Sequence, residues 1–220
     1  MKYLLKTWRV MRIPFFVLVL LFVGLVVYRI PFVLEQRKTA ETVAFIQEQR
    51  ITMDDVTGTN LPPSPDPALV DATIEGIDAN TNGIRDDVEL AIFERYPDDS
   101  RLRSAMLQYA KALQLYLTHA FNEETWKAGI GQLNRSTSCL SESAGDPRPR
   151  PTEDAPEEEW TRWLKEWSII KNGLEDEIKT LILNFEGRKT QYDTNFEYTT
   201  SHGGGSRPYC DLDPTSFPSP

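Results

Sequence analysis

From Ile13 to Tyr28 the chain carries only apolar, small or aromatic residues, and after Arg29 the run resumes from Ile30 to Leu34. A helix needs about 20 such residues to cross the hydrocarbon layer of a bilayer, so Ile13 to Leu34 predicts one transmembrane helix. Arg29 falls near the end of the span, where its stem can lie in the apolar layer while the guanidinium reaches the interface. No polar face interrupts Pro14 to Tyr28, which argues against a buried core helix. Lys2, Lys6, Arg9 and Arg12 precede the run, and the positive-inside bias places the N-terminus in the cytoplasm and everything after about residue 35 outside. A cleaved signal peptide shares the basic and apolar regions. Against it stand the length of the run, the lack of an Ala-x-Ala closing it, and the lack of a following Cys that could take a lipid.

Beyond the span the pattern changes. Leu34 to Arg50 reads as a short charged helix whose apolar residues are Val43, Phe45 and Ile46. Thr57 to Pro67 (TGTNLPPSPDP) cannot be helical, because its prolines remove donors and force the preceding residues extended. Asp87 to Tyr96 predicts a helix that Pro97 ends. Between Ser100 and Phe121, Leu102, Met106, Tyr109, Leu113, Tyr116 and Ala120 recur at steps of three and four, the amphipathic helical period. Asn122 can cap a third helix carrying Trp126, Ile130 and Leu133, with Gly129 and Gly131 weakening it. After a second Pro-rich loop, Gly145 to Pro156, the residues Trp160, Trp163, Trp167, Ile170, Leu174, Ile178, Leu181 and Phe185 keep helical spacing, broken only at Asn172 and Gly173. The tryptophan stripe is expected to be core and not a ligand platform. No period-2 alternation longer than four residues occurs.

The predicted fold is therefore mainly α: an N-terminal transmembrane helix, then a small α-helical bundle with long Pro-rich loops. Its parts are a cytoplasmic N-terminus and anchor (1–34), a juxtamembrane helix and Pro-rich linker (35–70), a helical domain (71–200) and a Gly/Pro-rich tail (201–220).

Charge narrows the partners. The formal net charge is -9, yet residues 1–34 hold five basic groups and no acidic one, so the remaining 186 residues carry 19 basic against 33 acidic, a net of -14. Such a surface repels polyphosphate and argues against nucleic-acid binding. Cations are the expected small partners. Cys139 and Cys210 are the only thiols, have no CxxC spacing, and in an exported domain most simply form one disulfide. Closing a loop of about 70 residues stabilises by roughly 4 kcal/mol in the chain-entropy model. It would also pin the tail. Two unrelated buried thiols are the alternative.

One stretch carries chemistry. Asp78 to Glu89 reads D-A-N-T-N-G-I-R-D-D-V-E and fits D-x-[DN]-x-[DN]-G-x5-E without a gap. Oxygens at positions 1, 3, 5, 7, 9 and 12 converge on one point only if the backbone turns sharply at position 6, where Gly is needed. Asp78, Asn80 and Asn82 would supply side-chain oxygens, Ile84 a backbone carbonyl, Asp86 a direct or water-mediated oxygen, and Glu89 a bidentate carboxylate. Ile77 could anchor the loop in the core. The twelve residues resemble the calcium loops of EF-hand proteins and of the related unpaired loops in dockerin-like and thrombospondin-type modules. That resemblance implies Ca²⁺ as the ion and these six residues as its ligands. Two departures matter: Arg85 occupies the position that is normally apolar and pairs with a neighbouring EF-hand, and Pro67 to Gly76 is a poor first helix. A competing reading makes Asn82-Gly83 a plain turn, with Asp86 and Glu89 forming a capping box on the following helix.

Residues 71–99 hold nine carboxylates against Arg85 and Arg95, a density that a dication would relieve. Only Asp78, Asp86 and Glu89 put charge into the site, which fits the roughly 10⁻⁴ to 10⁻³ M affinity of extracellular modules. Nucleophile elbows, P-loops, dinucleotide fingerprints and HExxH are absent. His119 and His202 read as ordinary surface or core residues, and Asn134-Arg135-Ser136 is a sequon with meaning only in a eukaryotic secretory route. The expected function is a non-enzymatic interaction or scaffolding module of a cell envelope, periplasmic or extracellular, acting through protein partners. The alternatives are a carboxylate-dependent hydrolase and a calcium-responsive sensor using the Trp160 to Trp167 face.

Overall fold

The first helix of the computed structural model, α1 (Lys2–Glu48), carries Pro14 and Pro31 inside it without ending at either. The structure describes residues 2–201 and 207–217, so His202 and part of the C-terminal tail lie outside the described residues. From Pro14 to Glu48, α1 is a 35-residue stretch whose most apolar part is unburied by protein and has a mean hydropathy of 2.6. It is long and apolar enough to cross a membrane. The chain divides into two compact units, Met1–Thr42 and Val43–Pro220.

The second unit is built on helices, with no strand among the described residues. They are α2 (Met53–Thr57), α3 (Asp86–Arg95), α4 (Ser100–His119), α5 (Glu123–Ser143), α6 (Glu157–Ile182) and α7 (Glu186–Asn195). Helix α4 lies at the centre of the arrangement: every residue from Arg103 to Leu117 is buried, polar ones included, and α2, α3, α5, α6 and α7 all pack against it. Met106, Tyr109, Leu113 and Tyr116 form the centre of the core with Val88 and Ile92 of α3, Trp126 of α5 and Ile178 and Ile182 of α6.

Asn122 caps α5 as its sequence predicts, accepting from the Thr125 amide at 3.0 Å. The glycines of that helix do not end it. A Cβ on Gly129 would sit 3.4 Å from the Tyr116 Cα, so its missing side chain is what lets α4 and α5 approach. Asn172 and Gly173 likewise leave α6 unbroken, but the helix stops at Ile182 and Phe185 begins α7 instead of extending α6. The sequon lies within α5, with Ser136 fully buried and bonded to the Leu133 carbonyl.

The tryptophan stripe departs from expectation. Of the three residues only Trp163 is buried, and none joins the main core. The stripe grips the second Pro-rich segment: the Trp160 and Trp163 indoles donate to the carbonyls of Thr152 and Arg148, each at 3.2 Å. The Arg150 guanidinium lies over both rings. The aromatic spacing was real, but the surface it covers is a loop.

Cys139 of α5 and Cys210 form a disulfide across a sequence separation of 71. The tail is held on both sides of it. Gln108 of α4 donates to the Tyr209 carbonyl and accepts from the Asp211 amide, both at 2.8 Å. Asp211 accepts from Arg135 of α5 and from the Ile51 amide.

Candidate functional site

The loop from Asp78 to Glu89 is held at its entrance by two buried arginines. Arg188 of α7, fully buried, donates to the carbonyls of Val70, Thr73 and Ile74 and to Asp71 and Asn184. It thereby fixes the irregular segment that stands where the first helix of a paired calcium module would be. Arg85, 1% exposed, pairs with Asp87 and donates to the carbonyls of Leu181 and Ile182. Carbonyls at a helix C-terminus lack intrahelical donors and carry partial negative charge. The position that would otherwise meet a second loop therefore meets the end of α6.

Within the loop the backbone turns at Thr81 (φ 57°) and Gly83 (φ 83°), the second a conformation that L side chains rarely adopt. A Cβ on Gly83 would also come within 3.1 Å of Lys111 Cε. Short Asx side chains fold back on the backbone and set the turn. Asp78 accepts from the amides of Asn82 (3.1 Å) and Gly83 (2.8 Å). Asn80 Oδ1 accepts from the Asn82 amide, and Asn82 Oδ1 from the Ile84 amide at 2.8 Å. The Asp86 amide closes the base on the Ile77 carbonyl at 2.9 Å. The side chain that reaches the core is Ile84, 1% exposed, while Ile77 is only partly buried. That leaves the backbone of Ile84 for the loop itself.

Asp86 and Glu89 lie three residues apart at the start of α3, and they do not form a capping box. Asp86 Oδ1 accepts from the Ala79 amide at 3.0 Å and Glu89 Oε2 from the Asn80 amide nitrogen at 3.0 Å, while α3 has no side-chain cap. Both acids are sealed, 1% and 0% exposed. Their second oxygens, Asp86 Oδ2 and Glu89 Oε1, are buried with no hydrogen-bond partner. Burial pushes the Glu89 carboxyl up to about 7, with Asn80 and Asn82 opposing and Asp55 and Asp86 adding to the rise. Burial also raises Asp86, against the Ala79 hydrogen bond and with help from Asp78 and Asp87. Acids in such surroundings are stabilised either by a proton or by a cation.

Among the described residues, no group of three or more carboxylate, imidazole or thiol side chains is gathered closely enough to hold a metal on its own. The remaining donors are the amide oxygens of Asn80 and Asn82 and the carbonyl of Ile84, all hard oxygen atoms of the kind calcium takes. Two unpartnered buried carboxylate oxygens beside such donors fit a hard dication.

Pattern reading misses three neighbours. Asp55 of α2 reaches Asn82 Nδ2 at 3.4 Å; the Thr52-x-x-Asp55 capping box that positions it was visible in the sequence. Asn80 also donates to the Asn60 carbonyl at 2.8 Å, tying the first Pro-rich segment to the loop. Lys111, buried in α4, donates to the Arg50 carbonyl at 2.8 Å; burial lowers its pKa, and Asp55, Asp211 and Asp78 counteract that. No known protein family, curated protein or solved structure matches this chain.

Proposed function

We propose that this chain is a single-pass, N-in anchored protein whose exported part is a small α-helical bundle with Pro-rich loops, organised by one structural Ca²⁺ and acting as a non-enzymatic interaction or scaffolding module of a cell envelope. The anchor reading is supported by the apolar α1 stretch and by the basic residues before it; the exported reading by the disulfide, which persists in oxidising compartments. The observation that carries the calcium reading is the pair of buried, unpartnered oxygens on Asp86 and Glu89. Asp78, Asn80, Asn82, Ile84, Asp86 and Glu89 would hold the ion, which supplies the positive charge these acids lack. The acids with raised pKa are sealed from solvent, so they serve an internal partner and not a substrate.

The test is thermal unfolding of the full chain in detergent, with calcium and with chelator. At calcium about tenfold above Kd the folded state gains about 1.4 kcal/mol, a Tm increase of about 3–5 °C for a domain of this size. Asp78→Ala and Glu89→Ala each remove the increment. A Tm indifferent to chelator overturns the calcium reading. Protease protection of the C-terminal part in sealed vesicles tests the orientation.

A further inference from the structure

Asp55 of α2 stands outside the Asp78 to Glu89 loop in sequence and against it in space. Its side chain is buried, 7% exposed. One carboxylate oxygen, Oδ2, accepts from the Thr52 amide at 2.7 Å and from the Thr52 hydroxyl at 2.9 Å, which fixes the side chain on the first turn of α2. The other, Oδ1, receives Asn82 Nδ2 at 3.4 Å.

These contacts settle which way the Asn82 amide points. The Ile84 backbone N–H only donates, and it lies 2.8 Å from Asn82 Oδ1, so the nitrogen is the atom that faces Asp55. An amide oxygen carries two lone pairs; the Ile84 amide takes one and the second stays available to an ion. The other loop amide is held from the same segment, because Asn80 Nδ2 donates to the Asn60 carbonyl at 2.8 Å. Pro67 to Gly76 forms no helix, and the loop is braced instead by α2 and the turn after it. Asp55 also adds charge. Its contact with Asn82 puts Oδ1 within about 8 Å of any cation that Asn82 Oδ1 holds at about 2.4 Å. A unit negative charge at that distance changes the affinity for a dication about fivefold even at the dielectric constant of water. The field of Asp55 reaches both Glu89 and the buried Lys111, whose ammonium donates to the Arg50 carbonyl.

We infer that Asp55 is a positioning residue of the ion site: it holds Asn82 with an oxygen free for Ca²⁺ and adds a fourth negative charge beside Asp78, Asp86 and Glu89. The inference rests on the calcium reading and deepens it. The unpartnered oxygens of Asp86 and Glu89 mark where the positive charge is missing, and Asp55 makes that demand stronger from outside the loop. Affinity for the ion thus depends on a helix that the loop pattern does not contain.

The test is isothermal titration of the full chain in detergent with calcium chloride, comparing wild type with Asp55→Asn, Asp55→Ser and Asp54→Asn. Asparagine keeps the size of Asp55 but loses the charge, and its single oxygen cannot accept from both Thr52 and Asn82. Serine loses the charge without presenting an amide donor to Asn82, so it carries the test if the asparagine variant does not fold. Asp54 is exposed, and Asp54→Asn removes the same charge one residue away. Asp55→Asn and Asp55→Ser each raise the Kd for calcium at least about fivefold, while Asp54→Asn changes it less than about twofold. Tm in chelator is recorded on the same samples, since a merely structural role lowers that Tm and leaves Kd as it was. Calcium uptake with the same Kd in wild type and both Asp55 variants overturns the role of Asp55 and leaves the calcium reading standing, as does an equal loss in Asp54→Asn. A wild type that takes up no calcium overturns the calcium reading and this inference with it.

Discussion

Replacing Arg188 tests whether the entrance to the loop is held by one side chain. The guanidinium is fully buried and serves five acceptors: the carbonyls of Val70, Thr73 and Ile74, Asn184 Oδ1 and Asp71. Arg188→Met keeps an apolar stem and removes every donor. Four neutral acceptors at about 1 kcal/mol each give about 4 kcal/mol. The Asp71 pair adds little, because that carboxylate is 45% exposed and exposed ion pairs are worth at most about 1 kcal/mol. Arg188→Lys can satisfy at most three acceptors from a single nitrogen, so its loss is intermediate, about 2 kcal/mol. Chemical denaturation of the full chain in detergent reads the global term. Hydrogen exchange over residues 70–77 reads the local one, with faster exchange there than in α4. The calcium-induced rise in Tm shrinks in step, since the loop must then be ordered by the ion alone. If Arg188→Lys matches wild type, or if exchange at 70–77 is unchanged in Arg188→Met, the clamp argument is wrong.

Three further outcomes follow from the same structure. Reducing the Cys139–Cys210 bridge, which spans a separation of 71, lowers stability by about 4 kcal/mol, read as a shift in the denaturation midpoint with and without reductant. In chelator, Glu89 favours the folded state only while protonated: its folded pKa of about 7 lies above the ordinary 4.5. That contribution is complete below about pH 4.5 and disappears as pH rises through 7, a change of up to roughly 3 kcal/mol. Denaturation midpoints at pH 5 and pH 8 therefore differ more in wild type than in Glu89→Gln, and saturating calcium flattens the difference; equal pH slopes in the two proteins would refute it. Gly83→Ala places a Cβ at φ 83°, 3.1 Å from Lys111 Cε, and costs about 1–2 kcal/mol by strain, with a matching loss of calcium response in the melting assay.

Where apolar residues repeat on a helical period, the sequence showed the structure. Helix α4 was predicted for Ser100 to Phe121 and observed for Ser100–His119, because its large apolar residues recur at steps of three and four. The loop was legible for a different reason: its spacing is set by where oxygens and a glycine must fall. Helix α7 escaped because its anchors are polar. Arg188 and Asn195 are fully buried in it, and Asn195 donates to the Tyr116 carbonyl at 2.7 Å, none of which a hydrophobic pattern records. Arg85 and Lys111 escaped likewise: each is a charge taken inside because backbone carbonyls there lack donors, a fact of the folded chain alone. The tryptophan stripe shows the converse error. Its spacing announces a covered face but not whether helix or loop covers it.

Asp211 gives the second unit a temporal property. Its carboxylate receives the Ile51 amide from near the start of that unit and Arg135 from the middle, one residue after the cysteine that closes the bridge. During synthesis these groups emerge after nearly everything they join. A nascent or truncated chain ending before Cys210 lacks both the covalent and the ionic latch and keeps Gln108 and Arg135 without the tail atoms they hold here. The second unit therefore closes only after residues 210 and 211 have been added.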